Sequence, residues 1–242
     1  MSKRSHIHRH YESRVEPERE GFDILDWASA DAQQVRFAVL ASQLRELAGH
    51  AESEKRQAEI FPLRLLDAGC GLADLRIYLR ENGFTVDGSE IIRSAHLGKR
   101  PTDVLIAARQ NTPPVAYTGV DITPGILAEA RRRQPDAQLL LADLFAEEPF
   151  PPQSFDVVFA SGLFNLNLGN NAEFIRQGVP RLFKLASRLL VVNFLHVRTA
   201  HQYDHCHYTH PEELLREFGP LAARAEIVAD YLPNDFTLVL RK

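Results

Sequence analysis

From Leu63 to Leu240 short apolar runs alternate with segments whose apolar positions recur at helical spacing. Leu63–Asp67, Val115–Val120, Gln138–Leu141, Phe155–Ala160 and Arg188–Phe194 read as strands. Leu72–Glu81, Pro124–Arg133, Asn171–Ala186 and Pro211–Phe218 read as helices. Strands separated by helices imply a mostly parallel sheet covered on both faces. The last two strands, Ala225–Ala229 and Phe236–Leu240, are joined only by the turn signal Leu232-Pro233-Asn234-Asp235, so the final strand is expected to run antiparallel. The expected fold is therefore α/β, with a seven-stranded mostly parallel sheet and a reversed last strand. Gly178 and Pro180 are expected to break or kink the helix that contains them.

Ahead of this alternation, Val35, Val39, Leu40, Leu44 and Leu47 predict a helix from Asp31 that Gly49 stops. Residues 1–22 mix both charges with few apolar anchors and are expected either to be disordered or to order only by docking on the body. The polar stretch His50–Glu59 then leads into the strand pattern. This divides the chain into an N-terminal tail and helical cap (1–60) and a main domain (61–242) with an insertion at about 88–114, including a helical stretch at Asp103–Gln110. The insertion precedes a strand, hence lies at the amino ends, whereas ligands of open α/β sheets bind at the carboxyl ends; it reads as a contact surface or an elaboration.

The small residues of Leu65-Leu66-Asp67-Ala68-Gly69-Cys70-Gly71-Leu72-Ala73 follow a strand and precede a helix. They let backbone approach a ligand at a helix N-terminus. Asp74 stands where a dinucleotide fingerprint needs glycine, and its charge favours a zwitterionic or cationic ligand over a phosphate. Asp121 and Asp143 close the second and third strands. The first is placed to accept from ribose hydroxyls, the second from an exocyclic amine. The bland alternatives are a packing turn for the glycines and local caps for the acids.

Asp67-Ala-Gly-Cys-Gly-Leu-Ala, Thr-Gly-Val-Asp121-Ile, Ala-Asp143-Leu and Ser154-Phe-Asp-Val-Val-Phe-Ala-Ser-Gly resemble the ordered motifs of class I S-adenosylmethionine-dependent methyltransferases, over roughly residues 63–195. Ala73 replaces the family's last motif glycine. The resemblance implies a Rossmann-like fold and S-adenosylmethionine as cofactor. Gly69 and Gly71 would approach the methionine moiety, Asp121 the ribose, and Asp143 with Leu144 the adenine. The full candidate cofactor set adds Tyr11, Asp67, Cys70, Asp74, Ile122, Ser161 and Gly162, with Tyr11 on an N-terminal helix that would fold over the cofactor beside His6, His8 and His10.

The motifs say little about the acceptor. After the fourth strand, Ser161-Gly162-Leu163-Phe164-Asn165-Leu166 lacks the prolines of amino-methylating DNA enzymes; Asn165 could place an amide near the acceptor, and Phe164 is a cofactor-facing ring or a core ring. His196–His210 holds five histidines, Cys206 and two tyrosines at the ligand end of the sheet. His196 is the candidate general base and Tyr208 a second polar contact, against the alternative of a polar surface loop. No paired metal-ligand spacing occurs there, so no metal is expected. The net charge of −4 and the lack of a basic stripe favour a small-molecule acceptor over nucleic acid. Two cysteines, the absence of an apolar leader and no spanning apolar run lead to an expected cytoplasmic protein without a membrane partner. Oligomeric state is not legible. The rival readings are a protein or nucleic-acid methyltransferase using the insertion as partner surface, and a non-catalytic member of the fold.

Overall fold

The computed structural model describes residues 3–15, 24–25, 29–53, 62–87 and 112–242. Most of the expected insertion, the helical stretch Asp103–Gln110 and the side chain of His6 lie outside the described residues. In chain order the elements are α1 (Lys3–Glu12), α2 (Ala30–Ser53), β1 (Leu63–Ala68), α3 (Asp74–Glu81), β2 (Val115–Asp121), α4 (Pro124–Arg133), β3 (Leu139–Leu141), β4 (Phe155–Ser161), α5 (Asn171–Leu185), β5 (Ala186–His196), β6 (Tyr208–Thr209), α6 (Pro211–Phe218), β7 (Arg224–Val228) and β8 (Asp235–Arg241).

The strands form one sheet in the order β3-β2-β1-β4-β5-β8-β7. Pairing is parallel from β3 to β5, and β8 runs antiparallel to both β5 and β7. The expected α/β architecture is present, with one addition. The two-residue β6 pairs in parallel with β5 at Leu195–Tyr208 and His196–Thr209, making an eighth strand too short to show a pattern in sequence.

Each face of the sheet buries an apolar layer. One is built around Leu66, Val158, Phe164, Val192, Phe194 and Phe236 under α5 and α6. The other holds Leu65, Tyr117, Phe159 and Val191 against Phe37, Leu40 and Leu44 of α2. Helix α5 does not break: it is continuous through Gly178 and Pro180. A Cβ at position 178 would stand 2.7 Å from the Phe164 ring, so glycine lets the helix approach the sheet. Packing along the buried stripe of α5 outweighs the hydrogen bond that proline removes.

Leaving β1, the chain builds outward through β2 and β3, then returns to place β4 on the other side of β1. That reversal parts the loops at the carboxyl ends of β1 and β4 and leaves a crevice there.

Candidate active site

A cavity of about 760 Å³ occupies this crevice. Its floor is the β1–α3 turn. Gly69 and Cys70 donate their N–H groups to the Val120 carbonyl at 2.8 and 3.0 Å, tying the turn to β2. Gly71 has φ +55°, and a Cβ there would meet the Leu25 side chain at 2.7 Å. Ala73 takes the left-handed conformation (φ +62°) where the family motif has its last glycine, so the departure changes the side chain and keeps the turn.

Three carboxylates line the wall at successive strand ends: Asp67, Asp121 and Asp143. Asp121 accepts the N–H of Gly71 at 3.0 Å and of Thr123 at 2.8 Å, one on each oxygen. The Thr123 hydroxyl and the Ile122 N–H add to the support of its ionised form. Oδ1 of Asp143 accepts from the N–H groups of Phe145 and Ala146, and Oδ2 carries no hydrogen bond among the described residues. Asp67 is 4% exposed and accepts from the Tyr117 hydroxyl at 2.7 Å. Burial pushes its carboxyl up to about 7; the Tyr117 hydrogen bond offsets part of this, and the charges of Asp121 and Asp74 add to it. Burial also raises Asp121, against the N–H groups that favour its ionised form. Such crowded negative charge is relieved by a positively charged ligand.

The remaining walls come from loops. Asn171, buried at the start of α5, accepts from Leu168 N–H and donates to the Leu166 carbonyl, both at 2.7 Å, which fixes the loop after β4. Ser161 and Asn165 line the cavity, and Ser161 Oγ and Asn165 Oδ1 are buried without a partner. The segment after β5 folds over this loop: His207 N–H donates to Asn165 O, and Asn167 N–H to His205 O, both at 2.7 Å. The roof is α1. His8 Nε2–H donates to the Ile122 carbonyl at 2.8 Å, and Glu12 accepts the Gly125 N–H at 3.0 Å. Tyr11 packs with Ile24, Leu72 and Ile126, and the His10 ring stacks on His205 with centroids 6.0 Å apart.

Thirteen of the fifteen sequence-read residues line this one cavity: Tyr11, Asp67, Gly69, Cys70, Gly71, Asp121, Ile122, Asp143, Leu144, Ser161, Gly162, Asn165 and Tyr208. Two do not. Asp74 begins α3 and accepts from Gln33 Nε2 at 3.2 Å; it acts on the cavity only through its charge on Asp67. His196 stands off the cavity wall, with its ring edge-on to Phe236 and its Nδ1 accepting the Arg198 N–H at 3.2 Å. Alternate residues of a strand face opposite ways, and it is Leu195 that faces the cavity. Strand parity in β5 was the signal that would have placed His196. Tyr208 is on the wall, but its hydroxyl accepts the Tyr203 N–H at 2.9 Å and closes the loop. Phe164 is a core ring, 1% exposed. Wall residues that the sequence reading missed include Gln33, Arg36, Phe174 and Asn234. They come from distant segments with no local motif.

A model of the methyltransferase-domain family matches residues 95–184, just over a third of the chain. The match spans the strand ends that carry Asp121, Asp143 and Ser161. Over that segment the chain is similar to the methyltransferase-domain family. Among curated proteins, trans-aconitate 2-methyltransferase of Escherichia coli O9:H4 (strain HS) is 36% identical over 67 residues, covering 28% of this chain and 26% of that protein. The matched region is thus about a quarter of that relative's length. The fold is shared over the whole chain with magnesium protoporphyrin IX methyltransferase of Synechocystis PCC 6803, solved with bound S-adenosylmethionine: TM-score 0.54, 12% identity, 100% of this chain and 98% of that one. A methyltransferase of Archaeoglobus fulgidus gives a TM-score of 0.51 at 13% identity over 85% of this chain and 99% of its own.

The wall fits S-adenosylmethionine on its own chemistry. Asp121 stands on the wall at the end of β2, Asp143 Oδ2 carries no hydrogen bond among the described residues, and the crowded carboxylates at Asp67 suit a cation. Among the described residues no group of three or more His, Cys, Asp or Glu could hold a metal ion. No described helix is long and apolar enough to cross a membrane.

Proposed function

We propose that the chain transfers a methyl group from S-adenosylmethionine to an oxygen or nitrogen atom of a small-molecule acceptor. The observation that carries this reading is a single cavity of about 760 Å³, running from the strand-end carboxylates to the loop after β5 and roofed by α1. Small-ligand sites typically span ~300–1,000 Å³, so there is room for a nucleoside cofactor beside a compact acceptor. When bound, S-adenosylmethionine supplies a methyl group already activated by its sulfonium.

The protein's own work is to position and to exclude water. Asp121 holds the ribose and Asp143 the adenine amine, while Asp67 and Tyr117 set the negative field at the methionine end. Helix α1, held by His8 and Glu12, covers the chamber. Asn165 and Tyr208 stand on the acceptor side. His196 has no access to the chamber and is not assigned a role as base.

The test incubates the full chain and S-adenosylmethionine with a cell extract split by ultrafiltration into small-molecule and macromolecular fractions. S-adenosylhomocysteine should accumulate with the small-molecule fraction. Accumulation with the macromolecular fraction alone would refute the reading.

A further inference from the structure

The strand-end carboxylates divide the chamber. Asp143, Asp121 and Asp67 stand at the ends of β3, β2 and β1, the half along which the proposed cofactor lies. The next strands of the sheet are β4 and β5, and the loops that leave them wall the other half. Among the described residues this second half carries no carboxylate. A hydroxyl or amine acceptor placed there must still lose a proton when it is methylated.

The loop after β5 is pinned along its length. Val197 N–H donates to Thr209 O at 3.1 Å, Thr199 Oγ1–H to His196 O at 2.6 Å, Gln202 Nε2–H to Val197 O at 2.9 Å, and Tyr203 N–H to the Tyr208 hydroxyl at 2.9 Å. Between these ties Thr199, His201 and Tyr203 line the chamber while Ala200 and Gln202 do not, the alternation of an extended segment. Histidine is the side chain whose ordinary charge change falls between about pH 5 and 8, which suits proton transfer near neutrality. The wall holds three: His10, His201 and His205. The His10 and His205 rings stack on one another with centroids 6.0 Å apart, and Tyr203 tilts against His205 at 5.5 Å. His201 makes no hydrogen bond, ion pair or ring contact among the described residues. It is also exposed, so it stands where the chamber meets solvent. A neutral imidazole has one nitrogen free of hydrogen, and here no protein donor occupies it.

We propose that His201 is the general base, taking the proton from the oxygen or nitrogen atom that is methylated. This rests on the methyltransferase reading and adds a catalytic residue to the same site. The acceptor's lone pair forms the bond to the methyl carbon while the methyl–sulfur bond breaks and its electron pair stays on sulfur. The acceptor's O–H or N–H bond breaks, and its proton goes to the unprotonated ring nitrogen of His201. Exposure of the ring then lets the imidazolium return the proton to water. The role falls to a residue in the middle of the loop because His196, at the strand end, is turned off the chamber wall.

The test compares the full chain with His201→Ala, using S-adenosylmethionine and the small-molecule fraction of a cell extract at one fixed dilution. The rate of S-adenosylhomocysteine formation should fall by at least about tenfold, toward the ~10²–10⁴ that a general base contributes. The Kd for S-adenosylmethionine, from calorimetry, should stay within about twofold. Added imidazole should restore part of the rate, and dimethylimidazolium, the same ring without a basic nitrogen, should not. A smaller fall in rate, a fall that imidazole does not relieve, or relief by both compounds overturns the proposal. Loss of S-adenosylmethionine binding in the variant also overturns it, since the residue would then support the chamber and not the chemistry. No turnover by the unaltered chain refutes the small-molecule reading itself, and the base assignment with it.

Discussion

Asp67 shows how one residue's environment ties stability to function. Its carboxyl is held up to about 7 because burial opposes its charge more than Tyr117 supports it. Unfolded, it would titrate near ~3.9. The native state then binds the extra proton between these values, so this group's contribution favours folding in acid and is lost as pH rises through about 7. A cationic cofactor beside it draws the proton off, so affinity for S-adenosylmethionine should strengthen as pH passes upward through about 7. Titrations at pH 6 and 8 (roughly one unit either side) check this. Asp67→Asn keeps an acceptor for Tyr117 and removes the charge. It should stabilise the fold by about 2 kcal/mol at pH 8 in chemical denaturation while weakening S-adenosylmethionine binding. The acid-glycine turn that contains Asp67 was legible in sequence because its small residues are consecutive. The Tyr117 partner was not, since it lies 50 residues away.

Among the elements, α3 is held by a side chain that no pattern flagged. Arg76, 1% exposed, donates to Asp87 at 2.6 Å, to Asp136 at 2.9 Å and to Gln134 at 3.2 Å, joining the end of the β1–α3 unit to the loop after α4. Gln134 in turn donates to the carbonyls of Leu72 and Ala73. The knot thus reaches the floor of the cavity. Arg76→Met should cost about 3 kcal/mol in chemical denaturation, because it leaves polar partners of a buried cation without their donor. Helical and strand periods made most elements legible. The exceptions have physical causes: β6 is too short to carry a period, and α5 runs through Pro180 because its buried face keeps packing. His196 was misread because proximity to a strand end does not give the side of the sheet.

At the scale of the whole molecule, the site exists only because segments from both ends of the chain meet. Arg36 pairs with Asp235 across 199 positions, and His8 reaches Ile122 across 114. The seven longer strands and their directions followed from the alternation of elements. The crevice that turns separate motifs into a chamber follows from strand order, which the alternation alone does not specify. Of the two expectations for the charged tail, disorder or order by docking, residues 3–12 take the second and form α1 on the cavity. Removing residues 1–15 should therefore raise the Kd for S-adenosylmethionine by about tenfold in calorimetry while leaving the sheet's far-UV circular dichroism in place. An unchanged Kd would mean that α1 is no part of the cofactor chamber.

The central claim is that the strand-end carboxylates form an S-adenosylmethionine site. Calorimetric titration of the full chain with S-adenosylmethionine and S-adenosylhomocysteine tests it most directly, with Asp121→Ala alongside. One site per chain with Kd in the micromolar range, weakened at least about tenfold by Asp121→Ala, is the predicted result. No heat of binding from the folded protein, or equal affinity in the variant, would contradict it.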